Sequence, residues 1–445
     1  MVNQLLEIQW NIAKAEQTDR KVQNLASYIN VEVLKEIHEA IDGEKATGID
    51  KVTKQDYEQN LEENLQKLVQ RMKNRSYKPQ PVKKRVYIPK DVKEKYRPLG
   101  ISCYEDKLVE QAIAQILNQI YEPKFYNESY GFRPKRSCHM AVRDLIEKIQ
   151  YRKTNYVVEA DIRGFFDAVD HGWLIKMLEH DIADRKFIEI IRKFLNAGIM
   201  ENGKYLDSET GTPQGNGASP ILANIYLHYV LDNWFDVIVQ RQCTGECYMV
   251  RYADDFVCCF QNRYEAQIFL ERLKERFQKY GLELESSKTK ILEFGRFAAD
   301  KAKAKGKTKP ETFDFLGFTF YCSTDRRKSF FRCKVKTSGK KYRNKLKAMN
   351  NWIKQNRNLP IQLMISKLNM KLRGHYQYYG VTDNTQKIKD FYDKTMQMLY
   401  KWLNKRSQRR SYTWESYRYG LLKTLPLQSP TIKVNLLGRT IMNIG

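Results

Sequence analysis

The sequence predicts an α+β fold, an antiparallel sheet with packed helices set between a helical N-terminal segment and a basic helical C-terminal third. Three observations carry this. The runs NYVVEADIRGFFDAVDH (155–171) and MVRYADDFVCCF (249–260) are rich in β-branched and aromatic residues, and each places acids beside its β-forming stretch. Leu61, Leu65, Leu68 and Met72 recur at three- and four-residue steps and stop before Pro79 and Pro81, as in a helix. KKYRNKLKAMNNWIKQ puts Leu346, Met349 and Ile353 on one helical face with lysines opposite.

The acids carry the chemistry. On a straight strand Asp254 and Asp255 point to opposite faces, so both serve one site only if the chain turns at Tyr252-Ala253-Asp254-Asp255. Taken alone, such a pair is as readily a solvated turn as a metal site. Asp161, near the end of the first strand and just before Gly164 and Phe165-Phe166, changes that balance. If the two segments pair antiparallel, Asp161 and Asp254 face each other across about 5 Å. Three convergent carboxylates with no His or Cys nearby in sequence suit two Mg²⁺ ions rather than Zn²⁺.

DIRGFFDAVDH, GTPQGNGASPILANIYL and RYADDFV, in this order, resemble the core motifs of reverse transcriptases. The 85–113 and 125–142 segments resemble finger motifs of the group II intron branch of that family, and 281–295 and 313–320 its palm and primer-contacting segments. The resemblance implies a right-hand polymerase with fingers, palm and an α-helical thumb. It also implies residue roles. Asp161, Asp254 and Asp255 match the catalytic triad, with the Ile162 carbonyl as a further metal ligand. Phe166, five residues after Asp161, matches the aromatic that leaves no room for a ribose 2′-hydroxyl, although an aromatic after a strand is by itself more often core. Gln214 in Thr-Pro-Gln-Gly matches a glutamine beside the nucleotide, and Lys95 and Arg97 match residues that clamp its triphosphate. Lys288 is a further nucleotide candidate. Gly48, Arg133, Gly215, Lys345, Arg373 and Tyr376 are candidates for template or RNA contact.

Composition agrees with a nucleic-acid partner. The chain of 445 residues has 78 Lys+Arg against 52 Asp+Glu, a formal charge of +26, well beyond what solubility requires. Such an excess binds phosphate backbones through counterion release, in a salt-dependent way. Twenty-eight tyrosines add faces on which bases can stack, although many belong to cores. No run approaches the roughly 20 apolar residues of a membrane span and no export signal stands at the N-terminus, so a cytoplasmic location is expected. The eight cysteines are scattered and read as packing thiols, the Cys243/Cys247 pair included.

Three divisions follow. Residues 1–84 form an N-terminal extension and the start of the fingers, and KATGID (45–50) resembles the loop-bearing segment of the intron enzymes that embraces the template. Residues 85–320 form fingers and palm, interrupted by an exposed Lys/Ala/Gly linker at 296–312. Residues 321–445 form the thumb and the maturase region known as domain X, with Arg373, Gly374, Tyr376 and Tyr379 carrying the likeness. The sequence ends at Gly445 without the Cys/His endonuclease of many intron proteins, so second-strand cutting is not expected of it.

The resemblance implies an RNA-directed DNA polymerase acting on an RNA template, a DNA or RNA primer and dNTPs. It further implies binding of its group II intron RNA to promote splicing, and of target DNA in retrohoming. Two alternatives stand beside this: a related reverse transcriptase domesticated for DNA repair or phage defence, and a non-catalytic RNA-binding splicing cofactor.

Overall fold

A computed structural model describes residues 2–89, 96–201, 204–206, 210–212, 217–325, 327, 329–409 and 411–437. Eleven strands are described: β1 (Val82–Pro89), β2 (Tyr96–Ile101), β3 (Tyr156–Ala160), β4 (Ile199–Glu201), β5 (Lys204–Leu206), β6 (Cys247–Tyr252), β7 (Asp255–Phe260), β8 (Lys290–Glu293), β9 (Thr312–Phe315), β10 (Phe318–Thr324) and β11 (Phe331–Thr337). They form three sheets, ordered β2-β1-β4-β5, β6-β7-β3-β8 and β11-β10-β9.

The β6-β7-β3-β8 sheet is antiparallel throughout and is the structural centre of the chain. Its strands read as near-continuous apolar runs because both faces are covered. Val158, Ala160, Met249, Phe256, Cys258 and Phe260 point into one core, shared with the helices that precede and flank the sheet. Val157, Val250, Val257, Cys259 and Leu292 point into a second, shared with β9–β11 and the C-terminal helices. Alternation along each strand divides adjacent residues such as Cys258 and Cys259 between the two.

The helices follow their sequence signals. Leu65 and Leu68 are fully buried on the Leu61–Lys73 helix. The Gly339–Asn356 helix, capped by Ser338 on the Lys341 amide, buries Met349 and Ile353 and packs Leu346 against the same core. The 296–312 segment departs from the expected exposed loop. Ala298–Ala304 is a helix that buries Ala298 and Ala302, while Lys301 Nζ donates to the Tyr156 hydroxyl (2.8 Å) and Lys305 pairs with Glu293 (2.7 Å). Alanines at i and i+4 form its apolar stripe, and alanine is the strongest helix former.

All eight cysteines are free thiols, and Cys258 and Cys259 are buried on β7. Among the described residues no helix is long and apolar enough to cross a membrane.

Candidate active site

β6 and β7 form a tight hairpin in which Tyr252 pairs with Asp255, leaving Ala253 and Asp254 as its two-residue turn. Ala253 takes the left-handed conformation (φ 56°) that such a turn demands. The chain therefore turns at the acid pair, as the sequence required for both carboxylates to serve one site. The β3–β7 register runs Val158 to Cys258, Glu159 to Val257 and Ala160 to Phe256. Asp161 directly follows Ala160 and Asp255 directly precedes Phe256, so both acids lie at the same end of the paired strands, with Asp254 at the hairpin tip.

Ile162 follows Asp161 and bridges Leu284, with bonds falling one residue to either side: Glu285 N–H to the Asp161 carbonyl and Arg163 N–H to the Glu283 carbonyl, both 2.8 Å. In antiparallel pairing this turns the Ile162 carbonyl away from the Leu284 segment. Gly164 then adopts φ 57° and starts the short Phe165–Ala168 helix. Phe165 is buried, and the half-buried Phe166 meets the ring of Phe132 edge-on at 6.4 Å.

The segment leading into Thr-Pro-Gln-Gly is tied to the same helix. Thr212 N–H donates to the Phe166 carbonyl (2.7 Å), Gly211 N–H to that of Val169 (2.8 Å), and His171 Nε2 lies 2.7 Å from the Gly211 carbonyl. Gln214 and Gly215 lie outside the described residues, as do Lys95 and the side chain of Arg97. The backbone of Arg97 is on β2, paired with Ile88.

Lys288 Nζ lies 2.5 Å from Asp161 Oδ2. That hydrogen bond raises the lysine's pKa, with the charge of Asp255 adding to it. The ammonium therefore stands in the field of both acids. Carboxylate and carbonyl oxygens are the donor set of a hard divalent cation, so the residues fit Mg²⁺ chemically. Among the described residues, no three acidic, His or Cys side chains are already gathered into a cation cage.

A buried network, not foreseen from the sequence, fixes the hairpin. Arg251, fully buried on β6, pairs through both Nε (2.7 Å to Oδ1) and Nη2 with the buried Asp232. Its Nη1 donates to Asn224 Oδ1 (3.1 Å) and to the carbonyl of Ala253 in the turn (3.0 Å). Asn224 Nδ2 in turn donates to the Gly131 carbonyl (2.8 Å). Gly131 lies so close to the turn that a Cβ there would stand 2.2 Å from the Ala253 nitrogen, which only glycine avoids. The one sequence signal was an arginine inside an otherwise apolar strand.

Three proposed nucleic-acid contacts are corrected. Arg133 is buried and pairs with Glu122 (2.9 Å), and it donates to the carbonyls of Tyr126 (2.5 Å) and Ser129 (2.7 Å). Its donors thus shape the loop that runs beside β6, where Tyr130 N–H bonds the Arg251 carbonyl (2.9 Å). Tyr376 is 1 % exposed inside the second core, out of reach of RNA. Gly48 is buried against Cys103. Lys345 and Arg373 remain exposed, with Lys345 Nζ 5.2 Å above the ring of Tyr379.

Residues 82–320, more than half of the chain, match the family model described as "Reverse transcriptase (RNA-dependent DNA polymerase)". The chain belongs to the reverse transcriptase family, and the match of residues 340–420 to "Group II intron, maturase-specific domain" sets it with the group II intron members. It is 38% identical over 249 residues to "Group II intron-encoded protein LtrA" of Lactococcus lactis subsp. cremoris, covering 54% of this chain and 41% of that one. It is 34% identical over 282 residues to "Protein YkfC" of Escherichia coli (strain K12), covering 56% of this chain and 73% of that one. A shorter stretch of 132 residues is 46% identical to the "Uncharacterized 91 kDa protein in cob intron" of Schizosaccharomyces pombe, 30% of this chain and 16% of that one. The match thus spans less than half the length of the Lactococcus relative.

Proposed function

We propose that the protein is an RNA-directed DNA polymerase of the group II intron type that also binds its parent intron RNA to promote splicing and retrohoming. The observation that carries this reading is the meeting of Asp161 with the Asp254-Asp255 hairpin at one end of the central sheet, beside Phe166 and the Gly211-Thr212 turn. In this reading Asp161, Asp254, Asp255 and the Ile162 carbonyl hold two Mg²⁺ ions. Bound there, the ions would supply activation of the attacking hydroxyl and stabilisation of an in-line phosphoryl displacement.

The chain's own residues do the rest. Lys288 offsets the negative field of the acids before substrate enters. Lys95, Arg97 and Gln214 contact the incoming dNTP. Lys345 and Arg373, on the exposed side of the basic helices, contact the RNA template, its DNA or RNA primer, or the intron RNA, and target DNA follows in retrohoming. A DNA primer annealed to an RNA template should be extended in Mg²⁺ and dNTPs. RNA sequenced from the protein purified at moderate salt from its native cells should be enriched in one structured RNA containing this protein's coding region. A mixed pool of unrelated RNAs would point to a domesticated enzyme instead, and absence of extension would point to a non-catalytic splicing cofactor.

Phe166 gives a sharper test. Its ring is half-buried and braced by Phe165 and Phe132, so it holds a fixed volume in the short helix that follows Asp161. Phe166→Val should raise ribonucleotide incorporation relative to deoxynucleotide by about 10- to 100-fold in kcat/KM, the range of a steric discrimination of one or two carbon groups. Unchanged sugar selection in an active Phe166→Val enzyme would remove that role.

A further inference from the structure

Glu110 is an acid for which the polymerase reading has no use. It lies on the Tyr104–Tyr121 helix and is 2 % exposed. Its Oε1 accepts from Ser102 Oγ (2.6 Å) and its Oε2 from the Gly217 amide (2.9 Å). Ser102 immediately follows β2, the strand bearing Arg97. Gly217 lies three residues after Gln214 in sequence, and Thr212, two residues before Gln214, donates its N–H to the Phe166 carbonyl. One carboxyl thus joins two points from different parts of the chain, each close in sequence to a residue proposed above to contact the nucleotide. The contact is close: a Cβ on Gly217 would stand 2.5 Å from Gln111 Nε2.

Burial pushes the Glu110 carboxyl up to about 8, and Asp106 one turn earlier pushes the same way against the pull of its two hydrogen bonds and of Lys107. The neutral acid can donate to Ser102 Oγ while still accepting from Gly217, so both links are available in either protonation state. An apolar side chain would leave the buried Ser102 hydroxyl and the Gly217 amide without this partner.

We propose that Glu110 is a positioning residue for the incoming nucleotide, holding Ser102 at the end of the finger strand β2 against Gly217. The inference rests on the polymerase reading above. Its test is single-nucleotide incorporation on a fixed RNA template and DNA primer, with KM for dNTP, kcat and primer–template Kd measured separately. Glu110→Gln retains one donor and one acceptor and should keep the wild-type KM. Glu110→Leu should raise KM for dNTP about tenfold, the equivalent of about 1.4 kcal/mol, with kcat and primer–template Kd little changed. Ser102→Ala cuts one arm only and should raise KM about threefold, which gives a readout even if the leucine variant fails to fold.

An active wild type whose dNTP KM is unmoved by Ser102→Ala, or whose kcat and primer–template affinity fall in step with KM, overturns this role alone. Failure of the wild type and every variant to incorporate a nucleotide overturns the polymerase reading, and this inference with it.

Discussion

Asp254→Asn is expected to abolish primer extension while leaving affinity for RNA almost intact. The substitution keeps the shape of the hairpin tip, where Asp254 follows the left-handed Ala253, and removes one negative charge. A carboxylate that binds a hard cation cannot be replaced by a neutral amide without losing most of its attraction, whereas RNA binding draws on a formal charge of +26 spread over the whole chain. A loss of at least about 10³-fold in kcat is expected, with Asp161→Asn equivalent, since both carboxylates would hold the metal ions. Extension rates and RNA retention at several salt concentrations check it. Equal extension by wild type and Asp254→Asn would end the catalytic assignment.

Asp232→Asn should destabilise the protein by about 3–5 kcal/mol, because it leaves the fully buried Arg251 guanidinium without its counter-charge. Denaturant unfolding measures this directly. The double variant Arg251→Met/Asp232→Leu should recover most of the stability, since replacing both members of a buried pair by apolar groups of similar volume is often neutral. It should not recover primer extension: methionine has no donor for the Ala253 carbonyl, so the turn that presents Asp254 loses its internal hydrogen bond. If the double variant is as active as wild type, the network only stabilises the fold and has no part in holding the hairpin.

Much of the site was legible because its signals are local. An acid pair between β-forming stretches, a preceding strand ending in a third acid, and a Phe-Phe after a glycine all lie within short windows, and the two segments do pair antiparallel. Register was not legible. Whether Asp254 or Asp255 faces Asp161 depends on a hairpin turn of two residues, and a shift of one residue changes the facing partner. Arg133 was a candidate RNA contact through the finger-motif resemblance of its segment, yet its partner Glu122 lies eleven residues away and the two meet only through the loop between them. Tyr376 and Gly48 failed for the same reason: nearness to a core is a tertiary property. Glu110 and Asp106 were missed; the signal available was two acids four apart among apolar residues of one helix, and buried carboxyls take dedicated partners.

The two-faced central sheet has a consequence for how the chain is held together. Val157 on β3 and Val257 on β7, each a few residues from a carboxylate, belong to the same packed cluster as Leu368, Leu372 and Phe391 far along the chain. A boundary drawn near residue 320 by motif content therefore cuts through a single cohesive interior rather than between two. Loosening the last helices would uncover the underside of the strands that carry Asp161 and Asp255, so the two functions ascribed to the halves of this chain share one mechanical fate.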